Sequence, residues 1–330
     1  MKPVLHHEDH AALCARYRAD LPERLNMARQ VCDDWAASEP ERVAILDHVA
    51  GAVSYGALAA LSRRVQAALV ARGIERGDRV GVLLSQSPLC AAAHIACWRM
   101  GAISVPLFKL FRGDALRSRL SDSGARVVIS DDEGAAMLAG FDLSVITELP
   151  SEGTAAEAVD TTPEDPAIVI YTSGTTGKPK GALHGHRVLI GHLPGVEMSH
   201  DFLGQPGDVL WTPADWAWIG GLFDVLMPGL AIGVPVVAAR MRKFEIEECV
   251  KICAQHSVKN VFFPPTALRM LKAEGVGIPG LRSVASGGEP LGAEMLAWGQ
   301  DAFGLTINEF YGQTECNMVA SSCGAIFAAR

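Results

Sequence analysis

The chain has 330 residues, of which 49% are hydrophobic and 20% are charged, and this composition excludes a disordered protein. Its 29 basic and 37 acidic side chains give a net charge of −8, which disfavours nucleic acid as a partner. Its eight cysteines include no CxxC pair, so we expect reduced thiols and a cytoplasmic location.

The first half of the chain alternates short apolar runs with helical segments. Strands are predicted at 79–84, 103–107 and 125–130. The segment "LCAAAHIACWRM" is helical, with Ser85 or Ser87 as its cap, and it ends at Gly101. Asp114 is expected to cap the next helix, which stops at Gly124. This alternation predicts a parallel sheet covered by helices.

A soft, acidic stretch at 149–166 is interpreted as a junction between a first α/β subdomain, residues 1–160, and a second, residues 161–330. We expect each half to carry its own sheet, in an α/β fold of two stacked, mostly parallel sheets flanked by helices. Further strands are predicted at 167–171, 208–212, 234–239, 259–263, 282–286 and 306–311. Further helices are predicted at 221–227, 244–256, 265–274 and 292–302.

One apolar stretch, residues 220–239, is long enough to span a bilayer. It contains Asp224, Pro228 and Pro235, so a buried helix, a turn and a strand are the preferred interpretation. We therefore expect no membrane span.

The segment "YTSGTTGKPKG" (171–181) directly follows an apolar strand. Its glycines allow close approach of the backbone, its N–H and hydroxyl groups are donors, and Lys178 and Lys180 add positive charge. Ligands of open parallel sheets bind at the carboxyl ends of strands, so this loop is predicted to bind a polyphosphate. The spacing of its glycines differs from that of a Walker A loop.

This loop resembles the phosphate-loop signature of the adenylate-forming superfamily, which includes acyl-CoA synthetases, peptide-synthetase adenylation domains and beetle luciferases. "SGGEP" (286–290) and "NEFYGQTE" (308–315) are similar to later signatures of that family, in the same order. Three further segments look most like acyl-CoA synthetases of the acetyl and medium-chain type: "MGAISVPLFKLF" (100–111), "DWAWIGGLFDVLMPGLAIGVPVV" (215–237) and "FFPPTALRML" (262–271).

The resemblance implies an AMP-forming acid–thiol ligase that uses ATP, Mg²⁺ and coenzyme A and acts on a small-molecule carboxylic acid. It implies that Thr314 binds the α-phosphate, that Glu315 holds Mg²⁺, and that both take part in catalysis. Tyr311 would offer a face on which adenine stacks. The nucleotide-binding residues implied by the family's motifs are Thr172, Ser173, Gly174, Thr175, Thr176, Gly177, Lys178, Gly288, Glu289, Pro290, Glu309, Phe310, Tyr311, Gly312, Gln313 and Thr314.

The same resemblance implies an acyl pocket with Trp218, Ile219 and Gly220 in its wall and with Gly287 and Gly312 at its floor. Family members that act on small acids carry a tryptophan where Gly312 stands, so the expected substrate is larger than acetate. An aspartate resembling Asp224 grips the amino group in peptide-synthetase domains, so activation of an amino acid stays an alternative. A non-catalytic nucleotide-binding remnant is the other alternative.

Family members carry further motifs after the glutamate of "YGQTE", and a mobile C-terminal domain. The chain has 15 residues after Glu315 and none of these motifs. We therefore expect it to be an N-terminal portion that is inactive by itself. Apolar surface left uncovered in this way would favour self-association.

Overall fold

The computed structural model describes residues 10–16, 20–111, 113–154, 156–172 and 179–326. Its strands are β1 (Val43–Asp47), β2 (Gly51–Ser54), β3 (Arg79–Leu83), β4 (Ile103–Pro106), β5 (Val127–Ser130), β6 (Ser144–Ile146), β7 (Pro166–Thr172), β8 (Lys180–Gly185), β9 (Leu210–Trp211), β10 (Val236–Ala238), β11 (Asn260–Phe262), β12 (Ser283–Gly287), β13 (Ile307–Gln313) and β14 (Cys316–Ser321).

The same described residues also form helices. They are α1 (His10–Arg16), α2 (Asp34–Ser38), α3 (Tyr55–Val70), α4 (Pro88–Arg99), α5 (Gly113–Ser123), α6 (Asp132–Met137), α7 (Val188–Ser199), α8 (Ile219–Gly221), α9 (Met227–Ile232), α10 (Ile246–Gln255), α11 (Pro265–Ala273) and α12 (Ala293–Phe303). Two π-helical turns, Arg29–Asp33 and Leu222–Leu226, lead into α2 and α9.

Within the described ranges the strands form two sheets. One has the order β14-β13-β12-β11-β9-β10-β1-β2, and the other has the order β6-β5-β3-β4-β7-β8. The pairs β1–β2, β7–β8 and β13–β14 at the sheet edges are antiparallel, and the remaining pairs are parallel. The predicted fold class, two mostly parallel sheets flanked by helices, is confirmed.

Each sheet contains strands from both sides of residue 160. The early strands β1 and β2 join the sheet that otherwise consists of β9 to β14, and β7 and β8 join β3 to β6. The expectation that each half carries its own sheet is therefore wrong, because pairing between distant strands crosses the junction. The division of the chain into units near residue 160 stays a prediction.

Helix boundaries follow the local signals. Ser87, rather than Ser85, caps α4: its hydroxyl accepts a hydrogen bond from the Cys90 N–H at 3.2 Å. Gly101 follows this helix with φ of +68°, a conformation that glycine adopts without strain. Asp114 lies inside the first turn of α5 rather than at its cap. Its negative charge there interacts favourably with the positive end of the helix dipole.

The largest hydrophobic cluster contains side chains from both sheets, including Ile45 of β1 and Val82 of β3, and from helices α3, α4, α7 and α9. Trp98 of α4 is fully buried in it, and its indole N–H donates to the Ala167 carbonyl at 2.9 Å. The indole thus buries a large apolar surface and keeps its one donor satisfied.

The apolar stretch 220–239 folds as predicted, into helix, turn and strand. α9 ends at Gly233, whose φ is +87°, and β10 follows. Among the described residues no helix combines the length and the hydropathy that crossing a bilayer requires.

His94 of α4 is fully buried, and neither ring nitrogen has a hydrogen-bond partner among the described residues. Burial lowers the pKa of His94 from its ordinary 6.5 to about 3. Between these values the unfolded chain binds a proton that the folded chain does not, so stability falls as the pH drops below 6.5.

We expect His94→Leu to flatten this fall and to maintain or increase stability near neutral pH, because two unsatisfied nitrogens are removed. Urea unfolding of both proteins over a range of pH measures the difference in slope. An equally steep dependence in the variant would contradict the role of His94.

Candidate active site

A cavity of about 120 Å³ lies at the carboxyl ends of three neighbouring strands, β11, β12 and β13. The register of these parallel strands brings Phe262, Gly287 and Phe310 to the same edge of the sheet. The cavity is lined by His192, Trp218, Ile219, Asp224, Phe262, Gly287, Gly288, Phe310, Gly312, Gln313, Thr314 and Met318. This edge is where open parallel sheets bind ligands.

Two glycines allow aromatic rings to form the cavity wall. A Cβ atom at Gly287 would lie 2.4 Å from the ring of Phe310, and one at Gly220 would lie 2.6 Å from the ring of Trp218. Because real Cβ atoms do not approach carbon so closely, only glycine permits these rings to pack on the backbone. Phe262 packs between the two rings, at 5.9 Å from the centroid of Trp218 and 5.4 Å from that of Phe310.

Thr314 and Glu315 form the two-residue turn between β13 and β14, since Gln313 pairs with Cys316 in the antiparallel register. Thr314 lines the cavity. The Glu315 carboxylate is exposed at the tip of the hairpin and makes no hydrogen bond or ion pair within the described residues. The turn therefore combines a threonine that lines the cavity with an accessible carboxylate on the next residue.

The segment after β12 is fixed to β13 by Glu309, whose carboxylate accepts a hydrogen bond from the Leu291 N–H at 2.9 Å. Gly288 reaches the cavity with φ of +104°. Glu289 and Pro290 lie at the surface, and Glu289 forms an ion pair with Arg269 at 2.7 Å.

Tyr311 is 57% exposed, whereas Phe310 on the opposite face of β13 is buried against the cavity. The alternation of a strand thus divides these neighbours between an open ring and a wall residue.

The predicted phosphate loop begins at the end of β7, as expected. Thr172 ends β7 and pairs with Lys180 of β8, which returns antiparallel to it. Residues 173–178, and with them the predicted ligands Ser173, Gly174, Thr175, Thr176, Gly177 and Lys178, lie outside the described residues.

His184 of β8 lies near the turn between β13 and β14, so the two sheets approach each other there. Burial, and to a smaller extent the nearby His192 ring, lower the pKa of His184, while the Thr314 backbone and the charge of Glu315 oppose the decrease. His184 and Glu315 also border a second cavity, of about 470 Å³. His186 has a different role, because its Nδ1 accepts a hydrogen bond from the Met27 N–H at 3.1 Å.

Residues 32–329 match the model of the family described as "AMP-binding enzyme". The chain belongs to the AMP-binding enzyme family. This family is the adenylate-forming superfamily that the motifs indicated.

AMP-binding enzymes similar to this chain include the acetyl-coenzyme A synthetase of Halorhodospira halophila, which is 30% identical over 315 residues, 80% of this chain and 46% of the relative. The chain thus spans about half the length of the curated relatives it matches. Among solved structures, an acyl-CoA synthetase of Brucella canis has a TM-score of 0.87 at 27% identity. The match covers 98% of this chain and 65% of the Brucella canis chain. ATP-bound MatB of Rhodopseudomonas palustris has a TM-score of 0.77 at 26% identity, and the match covers 90% of this chain and 61% of the MatB chain.

The AMP-binding motifs did not reveal every residue of the cavity. His192 on α7, Phe262 on β11 and Met318 on β14 line it but belong to no predicted site. The sequence pointed to Asp224 only as a sign of an amino-acid substrate. In the structure its Oδ1 forms a hydrogen bond with His192 Nδ1 at 3.1 Å. No local pattern in "VLIGHLPG" distinguishes His192 from a core residue, since its partner lies 32 positions away in the sequence.

Proposed function

We propose that this chain supplies the ATP-binding and acid-binding residues of an AMP-forming acyl-CoA synthetase that acts on an acid larger than acetate. The observation that carries the proposal is the convergence of three sequence motifs on one cavity. Gly287 and Gly288 come from one motif, Gly312 and Thr314 from a second, and Trp218 from a third. A shared cavity is what a reaction between an acid and a nucleotide needs.

In the first step a carboxylate oxygen of the acid attacks the α-phosphorus of ATP, so that a P–O bond forms and the bond to pyrophosphate breaks. In the second step the sulfur of coenzyme A attacks the acyl carbon, the thiol loses its proton, and AMP leaves with the electrons of the C–O bond. The protein contributes by holding the reacting groups in line and by stabilising the developing charge.

In this proposal Thr172 and residues 173–178 bind the β- and γ-phosphates. Thr314 donates to the α-phosphate beside the acid. Tyr311, whose ring is open, stacks on adenine, and the segment Gly288–Pro290 flanks the other side of the base. Backbone and hydroxyl donors of this kind bind phosphate without a covalent intermediate on the protein.

The residues present fit a magnesium ion. Glu315 provides an accessible carboxylate oxygen with no competing partner in the described ranges, and Mg²⁺ commonly binds one or two carboxylates and substrate phosphates while retaining several waters. When bound, the ion would offset the negative charge of the phosphates during transfer. The buried cysteines of the described ranges are thiols in no disulfide, which suits a reducing compartment, and we place the reaction in the cytoplasm.

The size of the cavity supports an acid larger than acetate. Its volume of about 120 Å³ approaches the roughly 150 Å³ of an engineered protein cavity that admits benzene. An acetate methyl group would leave most of this space unfilled, and the walls would lose contacts.

Because the chain spans about half of its relatives, we propose that the second step requires the rest of that length. Activity is therefore to be measured on a completed chain, in which this chain is joined to the portion of the Halorhodospira halophila relative that it does not span. Ligand binding is to be measured on this chain itself.

Gly312→Trp is expected to shift substrate preference toward acetate, because an indole would fill the cavity that Gly312 lines. Exchange of pyrophosphate into ATP, measured with acetate, butanoate, hexanoate and benzoate, gives kcat/KM for each acid. We expect kcat/KM for the larger acids to fall by at least about tenfold.

The matched control is Gly113→Trp, the same substitution at an exposed position where a Cβ meets no atom within 4 Å. The control should keep the preference of the unmodified protein. Preference for acetate in the unmodified protein would contradict the proposed acid size, and absence of exchange with every acid would contradict the ligase function.

A further inference from the structure

Besides Gln313 and Thr314, the 120 Å³ cavity is lined by two further polar side chains, which contact each other. His192 of α7 and Asp224 of the π-helical turn before α9 leave only 2% and 8% of their residue surfaces exposed. Their Nδ1 and Oδ1 atoms are 3.1 Å apart, within hydrogen-bond distance. The apolar part of the lining includes the rings of Trp218, Phe262 and Phe310.

The second ring nitrogen of His192, Nε2, has no hydrogen-bond partner among the described residues. The ring is held in place because it also packs on Phe223, with centroids 5.4 Å apart. A buried polar atom without a partner costs free energy that a ligand with a complementary group recovers. Since His192 lines the cavity, a molecule bound there lies beside this ring.

The pair of side chains determines what Nε2 presents to a ligand. Burial raises the pKa of Asp224, while its hydrogen bond and charge interaction with His192 oppose the increase. A buried pair is most stable without net charge. A neutral pair holds two protons: one lies between Asp224 Oδ1 and His192 Nδ1, and the other is on His192 Nε2. In this state Nε2 is a hydrogen-bond donor, whichever of the two other atoms holds the shared proton.

Building on the proposed function, we propose that the acid carries an oxygen acceptor, a hydroxyl or keto group, part-way along its chain, and that this oxygen accepts a hydrogen bond from His192 Nε2. Asp224 positions His192 through the contact between Oδ1 and Nδ1. An unsubstituted alkanoate would fill the same space but would leave the donor unpaired. A site built around such a donor discriminates strongly against analogues that lack the acceptor.

The test compares acids of equal chain length with and without the oxygen. The pairs are 3-hydroxybutanoate with butanoate and 4-oxopentanoate with pentanoate, and 3-aminobutanoate serves as a third kind of ligand. Calorimetry on this chain with ATP and Mg²⁺ gives affinities, and pyrophosphate exchange by the completed chain gives kcat/KM. We expect at least one oxygen-bearing acid to be preferred over its partner by about 100-fold or more.

The double variant His192→Leu with Asp224→Leu removes both polar groups together, so it strands no buried charge and is expected to fold. In it the preference should fall to within about threefold of equality, because the affinity for the alkanoate is kept or increased while that for the oxygen-bearing acid is lost. His256→Leu, the same change at a histidine outside this cavity, should leave the preference intact.

The outcomes separate this inference from the function on which it rests. Exchange that is equal with alkanoates and oxygen-bearing acids would overturn the inference and keep the ligase function. Preference for 3-aminobutanoate would overturn it in favour of an ammonium ligand held by Asp224. Selective binding of an oxygen-bearing acid that His192 governs, without any exchange, would support the inference and remove the ligase function. If no acid binds or is exchanged, both are overturned.

Discussion

Glu315→Gln is expected to lower acid-dependent pyrophosphate exchange by about 100-fold or more, because it removes the one charged oxygen donor at the tip of the β13–β14 hairpin. Glutamine retains the size and polarity of the side chain but carries no negative charge. The carboxylate is exposed and makes no ion pair within the described ranges, so its loss should leave the stability of the fold unchanged.

The measurement is exchange by the completed chain at increasing Mg²⁺ concentration, with urea unfolding as a check on folding. The variant should need more Mg²⁺ for half-maximal rate as well as having a lower maximum. Glu294→Gln is the matched control, since Glu294 is an exposed carboxylate on α12 that pairs with Lys272 at 2.6 Å. Equal dependence on Mg²⁺ in both variants would remove Glu315 from the proposed metal site.

Asp208→Ala is expected to lower the free energy of unfolding by about 3–5 kcal/mol, because it leaves a partly buried guanidinium without its counter-ion. The Asp208 side chain is 1% exposed, and its two oxygens accept from Arg282 Nε at 2.8 Å and Nη2 at 2.7 Å. The same carboxylate accepts from the backbone N–H groups of Gly204 and Gln205, each at 3.0 Å. The aspartate thereby ties the loop before β9 to the start of β12.

Combining Asp208→Ala with Arg282→Met should restore part of the lost stability, because no unpaired charge then remains. Glu164→Ala is the matched control: its exposed ion pair with Arg187, at 2.7 Å, should contribute less than about 1 kcal/mol. Urea unfolding of the four proteins gives the free energies. A double variant less stable than Asp208→Ala alone would contradict this account.

Local chemistry explains why much of the fold was predictable. Strands buried on both faces, such as β3 and β5, appear in the sequence as continuous apolar runs. The hydroxyl group of Ser87 and the left-handed Gly101 bound α4 through contacts with their own neighbours. Signals of this kind need no knowledge of the rest of the chain.

Other features depend on residues that meet only after folding. The pairing of β1 with β10 and the His192–Asp224 hydrogen bond join segments whose local patterns carry no mark of each other. β9 spans only Leu210–Trp211 and not the predicted 208–212. Asp208 lies outside the strand, where it pairs with Arg282 and accepts hydrogen bonds from the preceding loop. The turn of Thr314 and Glu315 was predictable only through the motif that contains them.

The pairing of Ile45 with Val236 has a consequence for synthesis of the chain. At typical translation rates of about 5–20 residues per second, the ribosome needs about 10–40 seconds to make the intervening segment. Throughout that interval β1 lacks the strand that pairs with it on the side opposite β2. The sheet that contains β1 can therefore be completed only after residues 236–238 have been synthesised.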